Sequence, residues 1–144
     1  MVLTKEEIQK RYKEKILPEN KNPYHFEKRE HATTITAYNP MCGDKYKLYL
    51  EEEGSQINAL HFHGIGCAIS KAATSILTRK IEGMSKTDAK KFCEQFMNAL
   101  KSEGESSDLE EELKILAELK NFNGRLDCIQ LSWKALFEYL TSAD

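Results

Sequence analysis

Three cysteines stand where this chain changes from one kind of local pattern to another. Cys42 lies in Asn39-Pro40-Met41-Cys42-Gly43-Asp44, a turn signal followed at once by the alternation of a strand. Cys67 follows Gly64-Ile65-Gly66 and opens an amphipathic stripe, and Cys128 opens another. A structural turn has a use for Gly43 and Asp44 but none for a thiol. Ends of elements can converge at one edge of a sheet, where three thiols and the Asp44 carboxylate would supply four ligands. Zinc accepts cysteine and carboxylate ligands in tetrahedral sites, and iron–sulfur clusters take thiolates. Gly43, Gly64 and Gly66 beside the thiols let backbone approach a metal or a partner closely. The chain has no Cys-x-x-Cys, which removes the zinc-ribbon and thioredoxin readings. The residues alone leave open that the cysteines are small buried hydrophobes. For Cys93, in one apolar stripe with Phe92 and Phe96, a core thiol is the expected state.

A helix N-terminus favours a thiolate, so Cys67 and Cys128 are predicted to be biased toward ionisation. Three thiolates and a carboxylate around a divalent ion leave an excess of negative charge, which a nearby cation should offset. Arg125, three residues before Cys128, and Lys71, one helical turn after Cys67, are the candidates. His61 and His63 share one strand face, an arrangement able to bind a metal, but such pairs are expected to be solvated. His25 and His31 lie in polar context and carry no separate signal. The acidic run Glu103 to Glu112 reads as a solvated insert.

These side chains need elements to hold them. Thr4-Lys5-Glu6-Glu7 has the form of a capping box and predicts a helix from Lys5 to about Ile16, stopped by Pro18. A polar loop follows through His31. Strands are predicted over Ala32 to Tyr38, Lys45 to Glu51 and Gln56 to His63, with Glu53-Gly54-Ser55 turning the last two into a hairpin. Ile69, Ala72, Ala73, Ile76 and Leu77 mark a helix beginning near Cys67 and ended by Gly83. Ser85 to Asp88 caps the next, striped by Ala89, Phe92, Cys93, Phe96 and Leu100. After a loop from Lys101 to Ser107, a helix from Leu109 to Leu119 precedes a break at 121–124. Ile129, Trp133, Leu136, Phe137 and Leu140 mark the last helix. Strands early and helices late predict an α+β fold in which residues 1–144 form a single domain: a small antiparallel three-stranded sheet with helices packed on one face.

A chain of 144 residues can bury about 68–70% of its unfolded surface and needs neither disulfide nor metal merely to fold. Its 21 basic and 23 acidic side chains are too evenly mixed to predict a nucleic-acid partner. No stretch approaches the roughly 18 apolar residues of a membrane span, and the N-terminal segment, charged from Lys5, does not read as a leader. A cytoplasmic protein with reduced thiols is therefore expected. In that setting the four cysteines read as ligands, nucleophiles or core residues, not disulfides.

Three motifs stand in order: Asn-Pro-x-Cys-Gly-Asp at 39–44, Phe-x-Gly-x-Gly-Cys-Ala-Ile-Ser at 62–70, and Arg-x-x-Cys-x-x-Leu-x-Trp-Lys-Ala-Leu at 125–136. Together they resemble the U-type iron–sulfur cluster assembly proteins, the family of IscU, SufU and the N-terminal domain of NifU. Tyr12 to Pro23 resembles the family's leading helix and its Asn-Pro turn. The long gap between Cys67 and Cys128, its acidic segment and Arg125 resemble the SufU branch. Before Cys128, IscU-type members have a ligand histidine and SufU members commonly a basic residue; here Asp127 departs from both, and its negative charge is expected to weaken docking or shift ligand preference. The resemblance implies a SufE/IscU-like fold with Cys42, Asp44, Cys67 and Cys128 as zinc ligands. It further implies a SufS-type cysteine desulfurase as partner, Cys42 as acceptor of its persulfide sulfur and Arg125 in support. Downstream it implies a cluster scaffold or apo iron–sulfur proteins. The protein would be a sulfurtransferase-like carrier, not a stand-alone enzyme. Zinc holds a thiol as thiolate but lowers its nucleophilicity, so one ligand must be released to react; the hard oxygen of Asp44 suits such exchange. The alternative is a scaffold that builds a 2Fe-2S cluster on the same residues, and a third reading is a purely structural zinc.

Overall fold

Residues 4–101, 110–119 and 126–142 are described by a computed structural model. Arg125, residues 103–109 of the acidic insert and the break at 121–124 lie outside them. Thr4 Oγ1 accepts the Glu7 N–H at 3.1 Å while the Glu7 carboxylate accepts from the Thr4 N–H. This reciprocal box starts α1, Lys5–Arg11. The helical path does not stop at Pro18. A π-helical turn, Tyr12–Ile16, leads into α2, Leu17–Lys21. The Leu17 N–H donates to the Tyr12 carbonyl, five residues back. The widened turn makes room for the proline ring, and the missing N–H falls in the first turn of a new segment, where no donor is needed.

The sheet has the order β1-β2-β3, all antiparallel: β1 is Thr33–Asn39, β2 Asp44–Glu53 and β3 Gln56–Ile65. Gly54, at φ +61°, turns β2 into β3. Ile35, Ala37, Tyr46, Leu48, Leu50, Leu60 and Phe62 share one buried face. Helices α3 (Ala68–Ile81), α4 (Lys86–Lys101), α5 (Glu111–Leu119) and α6 (Leu126–Ser142) complete the core. Trp133 is its centre, fully buried with its indole N–H donated to the Ala73 carbonyl at 3.1 Å. Cys93 is fully buried, and burial pushes its thiol up to about 12, so it is the core thiol its stripe predicts. No helix among the described residues is long and apolar enough to cross a membrane.

The loop before β1 corrects the expectation of solvated histidines. The Tyr24 N–H donates to Ser75 Oγ of α3 at 2.7 Å, and the His25 carbonyl accepts the Phe62 N–H of β3 at 3.0 Å. Thus tied down, the loop lays the His25 ring on His61, centroids 4.1 Å apart, and His61 is left 5% exposed. Burial lowers the His61 pKa, which favours the neutral ring. His63 stacks on Phe26. Lys71, offered above as a charge for the thiols, instead sits over the Phe26 ring.

Candidate metal centre

The β1–β2 connection is shaped by Asn39, whose side chain accepts the Met41 N–H at 3.0 Å and whose carbonyl accepts the Gly43 N–H at 2.8 Å. Gly43, at φ +79°, allows the chain to turn there at little steric cost. Cys42 is left exposed on this turn. Two residues on, Asp44 begins β2 and is only 3% exposed. A buried carboxylate needs donors, and α3 supplies them: Asp44 Oδ1 accepts the Cys67 N–H at 3.0 Å, and the Cys67 thiol lies 3.8 Å from Oδ2.

Cys67 is the N-cap of α3 in extended backbone conformation, its sulfur accepting the Ser70 N–H at 3.4 Å. Behind it the Ser70 hydroxyl donates to the Cys67 carbonyl at 3.1 Å. With that proton committed, the Tyr46 hydroxyl, 2.8 Å away, is the donor to Ser70. The chain Tyr46–Ser70–Cys67 fixes the thiol's backbone from within the core. Tyr46 reads from sequence only as an apolar strand residue; the spacing of Ser70 three after Cys67 is the one local signal of this pair. Gly66 exists for it, because a Cβ there would stand 2.3 Å from the Tyr46 hydroxyl and 2.6 Å from Ser70 Oγ. Gly66→Ala is expected to cost about 1–3 kcal/mol by overpacking and to loosen any metal held through Cys67. Thermal melts with and without zinc check this, and an unchanged melt would show that the hydroxyl pair does not hold Cys67.

Cys128 enters from the first turn of α6 and is buried. Its sulfur, the Cys42 sulfur and an Asp44 oxygen all lie within 4.8 Å of one another, the one such group of histidine, cysteine or acidic donors among the described residues. Cys67 adjoins this group through Asp44 but keeps its sulfur on the α3 N-terminus. Donors of a tetrahedral zinc stand roughly 3.3–3.8 Å apart, so the soft sulfurs of Cys42 and Cys128 and the hard oxygen of Asp44 lie within side-chain adjustment of that ion's spacing, with the Cys67 thiol beside the same carboxylate. The expected thiolate bias of Cys128 is overturned for the metal-free chain. Burial, first, and then the neighbouring Cys67, Asp44 and Cys42 raise its pKa. Among the described residues the large hydrophobic side chains that stand exposed, Tyr38, Met41 and Ile65, lie at this same end of the sheet.

Fold and site together define a small α+β protein that gathers cysteine and carboxylate donors where strand ends meet helix starts. The family described as NifU-like N terminal domain matches residues 11–139, and the chain belongs to that family, the U-type iron–sulfur cluster assembly proteins. It is 31% identical over 127 residues to the zinc-dependent sulfurtransferase SufU of Bacillus subtilis, covering 87% of this chain and 86% of that protein. It is 29% identical to the iron–sulfur cluster assembly scaffold protein IscU of Streptococcus pyogenes, over 85% of this chain and 78% of that one. A crystal structure of a putative iron–sulfur cluster assembly scaffold protein for the SUF system, from Fervidobacterium islandicum, superposes with a TM-score of 0.80. That match has 29% identity and covers 88% of this chain and 94% of the other.

Proposed function

We propose that this protein is a zinc-dependent acceptor and carrier of persulfide sulfur, serving a SufS-type cysteine desulfurase in iron–sulfur cluster assembly. The observation that carries the reading is the split of the donor group: Cys42 exposed, Asp44 and Cys128 buried beside it. One thiol faces a partner while the others stay anchored. Its likeness to a protein named as a zinc-dependent sulfurtransferase supports the same reading.

Cys42, Asp44, Cys67 and Cys128 would hold the zinc, which when bound keeps the thiols ionised at neutral pH. The chain's own part is then a thiol exchange. The Cys42 thiolate attacks the outer sulfur of the donor's cysteine persulfide. A sulfur–sulfur bond forms on Cys42, the donor's sulfur–sulfur bond breaks, and the donor cysteine leaves as thiolate. The persulfide proton stays on the transferred sulfur, and no oxidant is needed. Asp44 and the Cys67 cap hold the rest of the group in place while Cys42 moves on its turn.

Zinc-loaded protein added to a SufS-type desulfurase with cysteine is expected to raise turnover by about tenfold or more, about 1.4 kcal/mol of barrier. The second reading, a 2Fe-2S scaffold, is favoured by the same donor set and by the likeness to a named IscU scaffold. Unchanged turnover, with a stable 2Fe-2S absorption spectrum after anaerobic addition of iron and sulfide, would replace the first reading by the second.

A further inference from the structure

A groove of about 650 Å³ runs between β1 and α6. Its β1 wall is formed by every residue from Ile35 to Asn39, with Pro40 just beyond the strand's end. Ile35 and Ala37 point to the helix side of the sheet, Thr36 and Tyr38 to the opposite side. Residues of opposite faces can line one cavity only along the strand's backbone edge. That edge is open: β1 pairs with β2 alone, and its outer side has no backbone partner among the described residues. Every second residue of an antiparallel strand directs its N–H and C=O away from its neighbour, so β1 presents a row of unmade hydrogen bonds to the groove.

Edge strands are ordinarily guarded by charge, proline, a bulge or a covering helix; α6 packs against β1 but leaves the groove between them. Thr33–Asn39 contains no charged residue and no proline, and it holds register with β2 through seven successive pairs without a shift. The opposite wall is one face of α6. Leu131, Ala135 and Tyr139 form a half-buried apolar floor, with Asp127, Lys134 and Glu138 on the lip. One end of the groove is Asn39-Pro40, on the turn that carries Cys42 two residues further on, and Asp127, which adjoins Cys128.

We propose that this groove is a docking site for an extended segment of a partner protein, added to β1 as a fourth strand and led to the thiol centre. Main-chain bonds to β1 supply affinity, and alternate side chains on the α6 floor supply selectivity. The lip carries two acids against one lysine, so the segment is basic and apolar in alternation. A second copy fits less well, because its own α6 accompanies its β1 and two helices would have to share the space. The docking rests on the transfer reading only for its purpose; strand binding requires no sulfur and can fail separately.

The test uses the full chain and an acetylated seven-residue peptide alternating valine and threonine with lysine at each end, followed by fluorescence anisotropy and amide hydrogen exchange. Saturable binding is expected, with new protection confined to alternate amides of β1. Ala135→Arg, which fills the floor, should weaken binding about tenfold. If that variant unfolds, Glu138→Lys on the exposed lip should weaken it by a smaller, salt-dependent factor. Absence of saturable binding, or binding without protection of β1 amides, overturns the proposal. The same protection appearing without peptide, in step with dimer formation, overturns the partner and assigns the edge to a second copy.

Discussion

Protein purified without added iron is expected to contain close to one zinc ion per chain, and Cys67→Ala or Cys128→Ala to lose it. Structural zinc contributes on the order of 10–16 kcal/mol in small zinc-binding peptides at neutral pH, so deleting an anchored thiolate should leave no stable site at ordinary metal concentrations. Cys67 is held by the Asp44 carboxylate, the Ser70 N–H and the Tyr46–Ser70 hydroxyl pair. Cys128 is buried beside the same carboxylate. Neither position has a substitute donor among the described residues. Cys93→Ala should keep the metal, since that thiol lies in the core, and should cost roughly 1–2 kcal/mol of packing. Loading should also weaken as pH falls. In the metal-free chain burial raises the Cys128 thiol, so the ion must displace a proton there, and lower pH favours the proton. Metal analysis and competition with a chromogenic chelator at two pH values check these points. A metal-free wild type that is folded and active in sulfur transfer would sink the zinc reading.

The second large effect concerns Cys42. After incubation with desulfurase and cysteine, persulfide should be trapped first on Cys42, and Cys42→Ser should abolish acceptance. The same variant should retain more zinc than the Cys67 or Cys128 variants, because the buried part of the donor group is intact. The reason is mobility. Cys67 caps α3 against the core and Cys128 lies buried in the first turn of α6, whereas Cys42 sits exposed on a turn closed by Asn39 and released by Gly43. A thiol that must leave a metal and reach another protein's sulfur needs that freedom. Mass spectrometry of the alkylated protein decides it: persulfide on Cys128 with Cys42 unmodified would assign the moving role to the wrong thiol.

From the order of its residues alone the chain determined its elements and which residues stand at their ends. Alternation in Lys45 to Glu51, the Gly54 turn, the Thr4 box and the apolar stripe from Ile69 are local signals, each decided by neighbours a few residues away. Cys42, Asp44, Cys67 and Cys128 stand at element ends for the same local reason. Only the tertiary structure decided what those ends do. Pro18 continues a helical path because a π-helical turn brings Ile16 fully into the core. His61 is buried because a loop is tied to α3 by a bond between residues 51 apart in sequence. The Cys128 thiol is raised, not lowered, because packing buries it and sets it beside Cys67, Asp44 and Cys42. Tyr46 supports Cys67, and β1 keeps an open edge beside α6, through neighbours that no local pattern names. Periodicity states which face of its own element a residue occupies; what that face meets is set by contacts between distant segments, and there burial, charge and free hydrogen-bonding edges are decided.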